Sequence, residues 1–191
     1  MAILNYLPTF KVVEINRSTG LVAGHVLSQF VLDPLSSLIK TVNEGEDNEM
    51  EFVENGFIIG LNDDLTVDAY DATTHGQPFL LFTEELNRLF PGHKWFATEA
   101  DADGDIYPRG IGLYVGDVFT TNNFTGELPE SAPSAGDEAT VTLATANYAA
   151  VVEGVLVLQA TKDQNGYDSL FAVEESSLPT GDEAARFVYL G

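Results

Sequence analysis

Cysteine is absent from the 191-residue chain, basic residues number only eight, and histidine occurs three times. Without cysteine there is no disulfide framework, no zinc–thiolate site and no thiol nucleophile, so the fold has to hold without covalent staples in either redox compartment. Eight Lys and Arg against thirty Asp and Glu give a formal charge of −22. Such a surface repels nucleic acid and anionic membranes and favours partners that are apolar, neutral or basic. No apolar run approaches the ~20 residues that a membrane-spanning helix needs. The first residues, MAILNYLPTFKVVEI, lack a basic n-region and a long apolar core. We therefore expect no signal peptide, and synthesis in a cytoplasm.

What is present is a globular composition, 45% hydrophobic, in a chain long enough to bury a core. Met1–Pro8 reads as an extended apolar arm. Phe10–Ile15 and Leu21–Val31 read as a β-hairpin turned at Gly20, and Asp33-Pro34 stops it. Pro34–Lys40 has room for one helical turn, and Glu44–Glu49 is an acidic surface loop. The stretch Glu51–Phe82 forms the framework. Asn55-Gly56 is the strongest two-residue hairpin signal, and Asn62–Asp64 is a second turn. Leu65–Tyr70 alternates, with Leu65, Val67 and Ala69 on one face. Pro78–Phe82 is apolar enough to be covered on both faces.

Thr83–Phe90 is the expected helix, with Thr83 as cap, Glu84 and Glu85 at its positive end and Pro91-Gly92 as its stop. Trp95-Phe96, Leu113–Val115, Val118-Phe119 and Phe124 continue the β pattern. Glu127–Glu138 reads as an acidic linker, and further strands follow from Ala139 to Leu190. No repeat of fixed period is evident. The expectation is a mainly β protein, a β-barrel or β-sandwich with one short helix and an extended N-terminal arm. Its parts would be arm and hairpin over 1–50, a β-domain over 51–126, the linker 127–138 and a second β-subdomain over 139–191.

Catalytic signatures are wanting. No serine sits in a G-x-S-x-G elbow, and Gly110-Ile-Gly112 lacks the helix a dinucleotide fingerprint needs. Thirty acids guarantee some carboxylate pair at a plausible spacing, so such pairs carry no information. His25, His75 and His93 have no metal-ligand spacing. Asp101, Asp103 and Asp105 alternate as at the start of a calcium loop, but Ile106 and Gly112 stand where that loop requires glycine and glutamate. They remain weak metal candidates beside the simpler reading of an acidic surface turn. Arg109 beside Tyr107-Pro108 could pair with a partner's carboxylate or neutralise that turn. The candidate partner-binding residues are Ile3, Leu4, Tyr6 and Leu7 of the arm, with Trp95, Phe96, Tyr107 and Arg109 of the aromatic–acidic loop.

Four pieces add a family likeness: Glu54-Asn-Gly56 leading into Phe57-Ile-Ile-Gly-Leu61, Pro78-Phe-Leu-Leu-Phe-Thr-Glu-Glu85, Gly116-Asp-Val-Phe-Thr-Thr-Asn122 and Leu178-Pro-Thr-Gly-Asp-Glu-Ala184. In these pieces and in general character, the chain over roughly 51–190 resembles the capsid decoration or cement proteins of tailed bacteriophages. The resemblance implies a non-enzymatic virion protein without cofactor or catalytic residues. Many copies would sit on the capsid exterior, bridging major capsid protein subunits and one another as an oligomer or lattice. An alternative is a glycan- or cell-surface-binding β-module, with Trp95, Phe96, Tyr107 and Tyr114 as stacking platform and Asp101–Asp105 holding calcium. A third is a β-barrel hydrolase, for which no nucleophile or metal signature speaks.

Overall fold

The computed structural model describes residues 13–15, 27–43, 49–82, 85–86, 94–95, 97–100, 103–126, 141–163, 166–177 and 183–191. Their strands, in chain order, are β1 (Val13–Ile15), β2 (Leu27–Gln29), β3 (Val31–Leu32), β4 (Lys40–Asn43), β5 (Glu49–Glu54), β6 (Ile58–Leu61), β7 (Thr66–Ala69), β8 (Phe79–Leu81), β9 (Glu85–Leu86), β10 (Lys94–Trp95), β11 (Ala97–Glu99), β12 (Arg109–Gly112), β13 (Val118–Thr121), β14 (Phe124–Thr125), β15 (Tyr148–Val152), β16 (Val155–Gln159), β17 (Phe171–Ser177) and β18 (Glu183–Tyr189). No helix occurs among the described residues. Glu85-Leu86, inside the segment expected to be helical, pairs instead with Lys94-Trp95 as a two-stranded ribbon. A two-turn helix has little stability of its own, and cross-strand pairing competes with it. The arm and the 127–138 linker lie outside the described residues.

Two large sheets carry the fold, one rolled into a nearly closed barrel and the other into a half-barrel. The six-stranded sheet runs β2-β12-β8-β6-β7-β3, and the seven-stranded sheet runs β1-β13-β18-β17-β15-β16-β14. In each, one continuous stretch of chain supplies both ends. Residues 27–32 provide β2 and β3, and residues 118–125 provide β13 and β14. With β1 set aside as an added edge on β13, both sheets follow one plan: first segment, fifth, fourth, second, third, and the first again. The strand senses agree at every step. Four pairings are antiparallel in each sheet. The last is parallel in both, with Val31 beside Thr66 and Phe124 beside Leu156. The chain is a tandem structural repeat.

The repeat escaped sequence inspection because only apolar character is kept. Ile59 corresponds to Ala149, Val67 to Leu156 and Leu81 to Val173, through equivalent ladder positions. Residues 118–125, placed ahead of the expected linker, pair with strands that follow it.

Two hairpin expectations give way. β1 pairs with β13 and β2 with β12, so the described strands of Phe10–Val31 do not pair with each other. β5 and β6 likewise lie in different sheets. Gly56 (φ +90°) hands the chain from one sheet to the next, and its N–H donates to Leu81 O at 3.0 Å. A Cβ there would stand 2.7 Å from Asn123 Cβ. Close approach of backbone and side chain requires that glycine, not a hairpin. The Asn62–Asp64 turn does join antiparallel β6 and β7. Leu65, however, belongs to that turn and is exposed, while Val67 is buried inside.

Alternation along the strands sets the cores. Ile59, Val67 and Leu81 fill the first repeat with Leu32, Phe57 and Ile106. Phe119, Phe171, Phe187 and Leu156 fill the second. Ile58 and Leu80, one residue out of phase, leave the first repeat and join the second core. β6 and β8 are therefore covered on both faces, as their unbroken apolar sequence predicts. Burying each such side chain contributes roughly 1.5–3 kcal/mol, so this seam ties the repeats together. A smaller sheet, β11-β5-β4, is held by a Lys40–Glu54 ion pair, with the ammonium 5.7 Å from the Phe57 ring centroid.

Candidate docking face

Of the aromatic–acidic loop expected to carry contacts, residues 95, 97–100 and 103–109 are described, and Ile106–Arg109 run as an extended rail along residues 29–32. Phe30 N–H donates to Pro108 O and Leu32 N–H to Ile106 O, both at 2.9 Å. They continue the β2–β12 register in which Arg109 faces Gln29. The pleat then sorts side chains by parity. Ile106, Pro108 and Gly110 turn inward and are buried. Gly110 leaves room for the Phe30 ring, whose Cε2 would lie 3.0 Å from a Cβ there, and Phe30 meets Phe79 edge-on at 5.0 Å. Tyr107 and Arg109 turn outward, beside Val31 and Gln29.

The result is a solvent-facing row across three strands: Tyr107 opposite Val31, and Val31 beside Thr66. Tyr107 and Val31 are both exposed, and Arg109 with Gln29 forms the next row. The Tyr107 hydroxyl donates to Asp105 Oδ2 at 3.2 Å, which fixes the ring on the face. Such a surface offers an aromatic ring, a guanidinium and an amide on rigid backbone, the residue types through which protein surfaces bind other molecules. Tyr107 and Arg109 are among the candidates that the sequence offered. Val31 and Gln29 were missed, since nothing local reveals that residues 27–32 run beside 106–112.

The hairpin tip adjoining Thr66 adds Leu65, exposed with a positive φ of 72°. Asp64 Oδ1 accepts from the Thr66 hydroxyl at 2.7 Å and from its N–H at 3.0 Å. Those bonds, the hydroxyl first, hold the Asp64 carboxyl below its ordinary value of 3.8. Behind the tip, His75 Nδ1 accepts the Asp71 N–H at 2.9 Å and Nε2 meets Asn62 Oδ1 at 3.0 Å. Both ring nitrogens are thereby occupied by the fold, and the ring lies over Gly60, where a Cβ would stand 2.2 Å from it. The signal for this tip was in the sequence. A four-residue turn reading Asn-Asp-Asp-Leu has leucine where the left-handed position favours glycine.

The remaining candidates fall elsewhere. Ile3, Leu4, Tyr6, Leu7, Phe96, Asp101, His25 and His93 lie outside the described residues. Trp95 is placed only through its backbone, opposite Glu85. Asp103 is exposed beside Gly104 (φ +89°), and Asp105 is half-buried. Among the described residues no group of three or more His, Asp or Glu is gathered as metal ligands. Tyr114 is exposed at a turn in which Asp117 accepts its N–H at 2.8 Å, apart from the Tyr107 row. No described helix is long and apolar enough to cross a membrane. No protein-family model matches the chain, and no curated protein or solved structure was found to be similar to it.

Proposed function

We propose that the chain is a non-enzymatic structural protein that docks on another protein through the outer face of its first repeat. In the finer form of this reading it is a virion component that binds the outer capsid surface and bridges major capsid protein subunits. The observation that supports docking is the Tyr107–Val31 row with its Arg109–Gln29 neighbour. An exposed aromatic ring, an exposed aliphatic side chain and a half-buried guanidinium are there held in register by backbone hydrogen bonds on both sides. Each contact can be weak, because repetition over a lattice multiplies modest affinities. The strong acidity suits a basic or neutral shell and keeps unbound copies apart.

The test is co-sedimentation with assembled capsid shells. A Tyr107→Ser/Arg109→Glu variant should keep its fold, checked by circular dichroism, since neither side chain belongs to a core, yet lose at least ~tenfold in occupancy, the cost of about 1.4 kcal/mol. Undiminished occupancy would exclude this face. Glycan binding is the second reading, favoured by the ring of Tyr107 bonded to Asp105, with Gln29 opposite Arg109 in the next row. Retention on a glycan array, lost in the same variant, would select it over shell binding.

A further inference from the structure

We propose that Leu65 is a pre-organised anchor for a partner protein that offers an apolar socket rimmed by Lys and Arg side chains. This assignment rests on the docking function above and names the chemistry of the partner.

Leu65 occupies a backbone conformation (φ 72°) that disfavours a branched L-residue, and its side chain is 73% exposed. Neither feature helps the chain fold. Glycine would relieve the first and a polar residue the second. The tip is nevertheless over-determined. Asn62 N–H donates to Thr66 O at 2.9 Å, Leu65 N–H to Asn62 O at 3.1 Å, and Asn62 Nδ2 to Thr66 Oγ1 at 3.0 Å. Asp64 and His75 brace it from either side. A strained residue that its surroundings hold firmly marks a place of function.

The tandem repeat supplies an independent comparison. In the second repeat the equivalent turn, joining β15 to β16, is Glu153-Gly154, and Gly154 is buried. Its carbonyl accepts Ile58 N–H at 2.8 Å, and a Cβ there would meet Leu38 and the backbone of Ile58 and Ala69 within 3.2 Å. That turn is thus one of the second repeat's contacts with the first. In the first repeat the same turn faces solvent, and it carries leucine.

Charge identifies the occupant. Asp63 and Asp64 directly precede Leu65 and are exposed, and the Thr66 hydroxyl and N–H favour the ionised form of Asp64. Val31, exposed and paired with Thr66, adds an apolar group next to the tip. The complement is an apolar socket with a cationic rim. A second copy is a poor source: eight basic residues stand against thirty acidic ones, and Lys40 and Arg186 already face Glu54 and Glu174. One leucine and its neighbours also cover far less than the ~1,200 Å² total of a stable free-standing interface. The contact is therefore one of a set.

The experiment is fluorescence anisotropy with a labelled amphipathic Lys/Leu peptide as probe, and a Glu/Leu peptide of the same length as control. Wild-type protein should bind the Lys/Leu peptide, more weakly as salt rises, and ignore the control. Leu65→Gly and Leu65→Asn should each lose roughly fivefold to tenfold in affinity, while Leu65→Met retains binding. Leu65→Gly should also melt about 2–4 °C higher, because the backbone strain is gone. A higher melting point with unchanged peptide affinity would reduce Leu65 to a poor turn residue and overturn the proposal, as would no wild-type binding. On capsid shells, loss in Tyr107→Ser/Arg109→Glu with retention in Leu65→Gly would reject the anchor and leave the docking face standing. The reverse would reject the face and keep the anchor.

Discussion

The two repeats share a strand plan and differ in what they build on it. The second packs three phenylalanine rings in its centre, Phe119 5.5 Å from Phe187, Phe119 5.7 Å from Phe171 and Phe171 6.2 Å from Phe187. In the first, Phe79 stands at the ladder position of Phe171 and Gly110 at that of Phe187, and the core is built of Ile59, Val67 and Leu81 with Phe57, Phe30 and Phe79 around them. The fourth and fifth segments of the second repeat form one long hairpin ladder, from Phe171 opposite Tyr189 to Ser177 opposite Glu183. In the first repeat residues 82–108 intervene between those segments and carry β9, β10 and β11. One repeat is a compact, aromatic-cored unit. The other is elaborated, with a mixed aliphatic and aromatic core and an exposed face. The plan tolerates both because inward parity is kept while side-chain size and loop length vary.

The largest effect that separates them is in the cores. Phe187→Ala should cost about 4 kcal/mol and Val67→Ala about 2 kcal/mol, in proportion to the volume each removes. Urea unfolding followed by fluorescence and far-UV circular dichroism measures both. Since Ile58 and Leu80 of the first repeat lie in the core of the second, a single coincident transition is expected for each variant. Two transitions would show that the seam does not couple the repeats.

The equivalent turns should respond with opposite sign. Gly154→Ala puts an L-residue at φ +75° against atoms at 3.0–3.2 Å, a cost of about 2 kcal/mol from backbone and crowding together. Leu65→Gly should gain about 1 kcal/mol. A loss of stability at both turns would mean that Leu65 is packed for folding and would break the contrast.

How far this contrast could be read from sequence depends on the range of the interactions. The β class, the Asn62–Asp64 turn and the doubly covered Pro78–Phe82 strand follow from local patterning, because period and turn chemistry are local properties. The Asn55-Gly56 turn misled for the same reason. Its glycine answers to Asn123 and Thr121, far along the chain. The expected helix from Thr83 has sound capping signals, but at Glu85-Leu86 strand pairing prevails. The repeat itself is invisible because Ala149 stands for Ile59 and Leu156 for Val67. Of the docking face, Tyr107 and Arg109 were legible as residue types. Val31 and Gln29 came only from a ladder that joins residues 29–32 to residues 106–109.

At alkaline pH the seam should weaken first. Burial, with the nearby Tyr189 phenol as a second cause, raises Tyr70 above its ordinary 10.0, and burial raises Tyr189. A phenol whose folded value is raised ionises more readily in the unfolded chain. Its stabilising contribution is complete below pH ~10 and is lost as pH climbs through the raised folded value. Tyr189→Phe should flatten the fall in melting temperature above that pH. An identical fall in wild type and Tyr189→Phe would remove the phenol from the account.

The smallest effect lies in acid, and it belongs to the first repeat. The Asp64 carboxyl is lowered by the Thr66 hydroxyl and then the Thr66 N–H, and the Asp71 carboxyl by the Thr73 N–H and then the Thr73 hydroxyl. A carboxyl depressed on folding stabilises above its unfolded value, near 3.8 for both residues, and loses that contribution as pH falls through the folded value. Both groups are fully in water, so solvent keeps the effect small. Asp64→Ala should therefore melt slightly below wild type at neutral pH, with the gap closing as pH drops below 3.8. The same titration should loosen the tip that presents Leu65 before it touches either core. Chemical-shift changes confined at first to Asn62–Thr66 and Asp71–His75 would agree with this order. Simultaneous changes at Phe171 and Phe187 would place the acid-sensitive step in the second repeat instead, and the division of labour between the repeats would have to be redrawn.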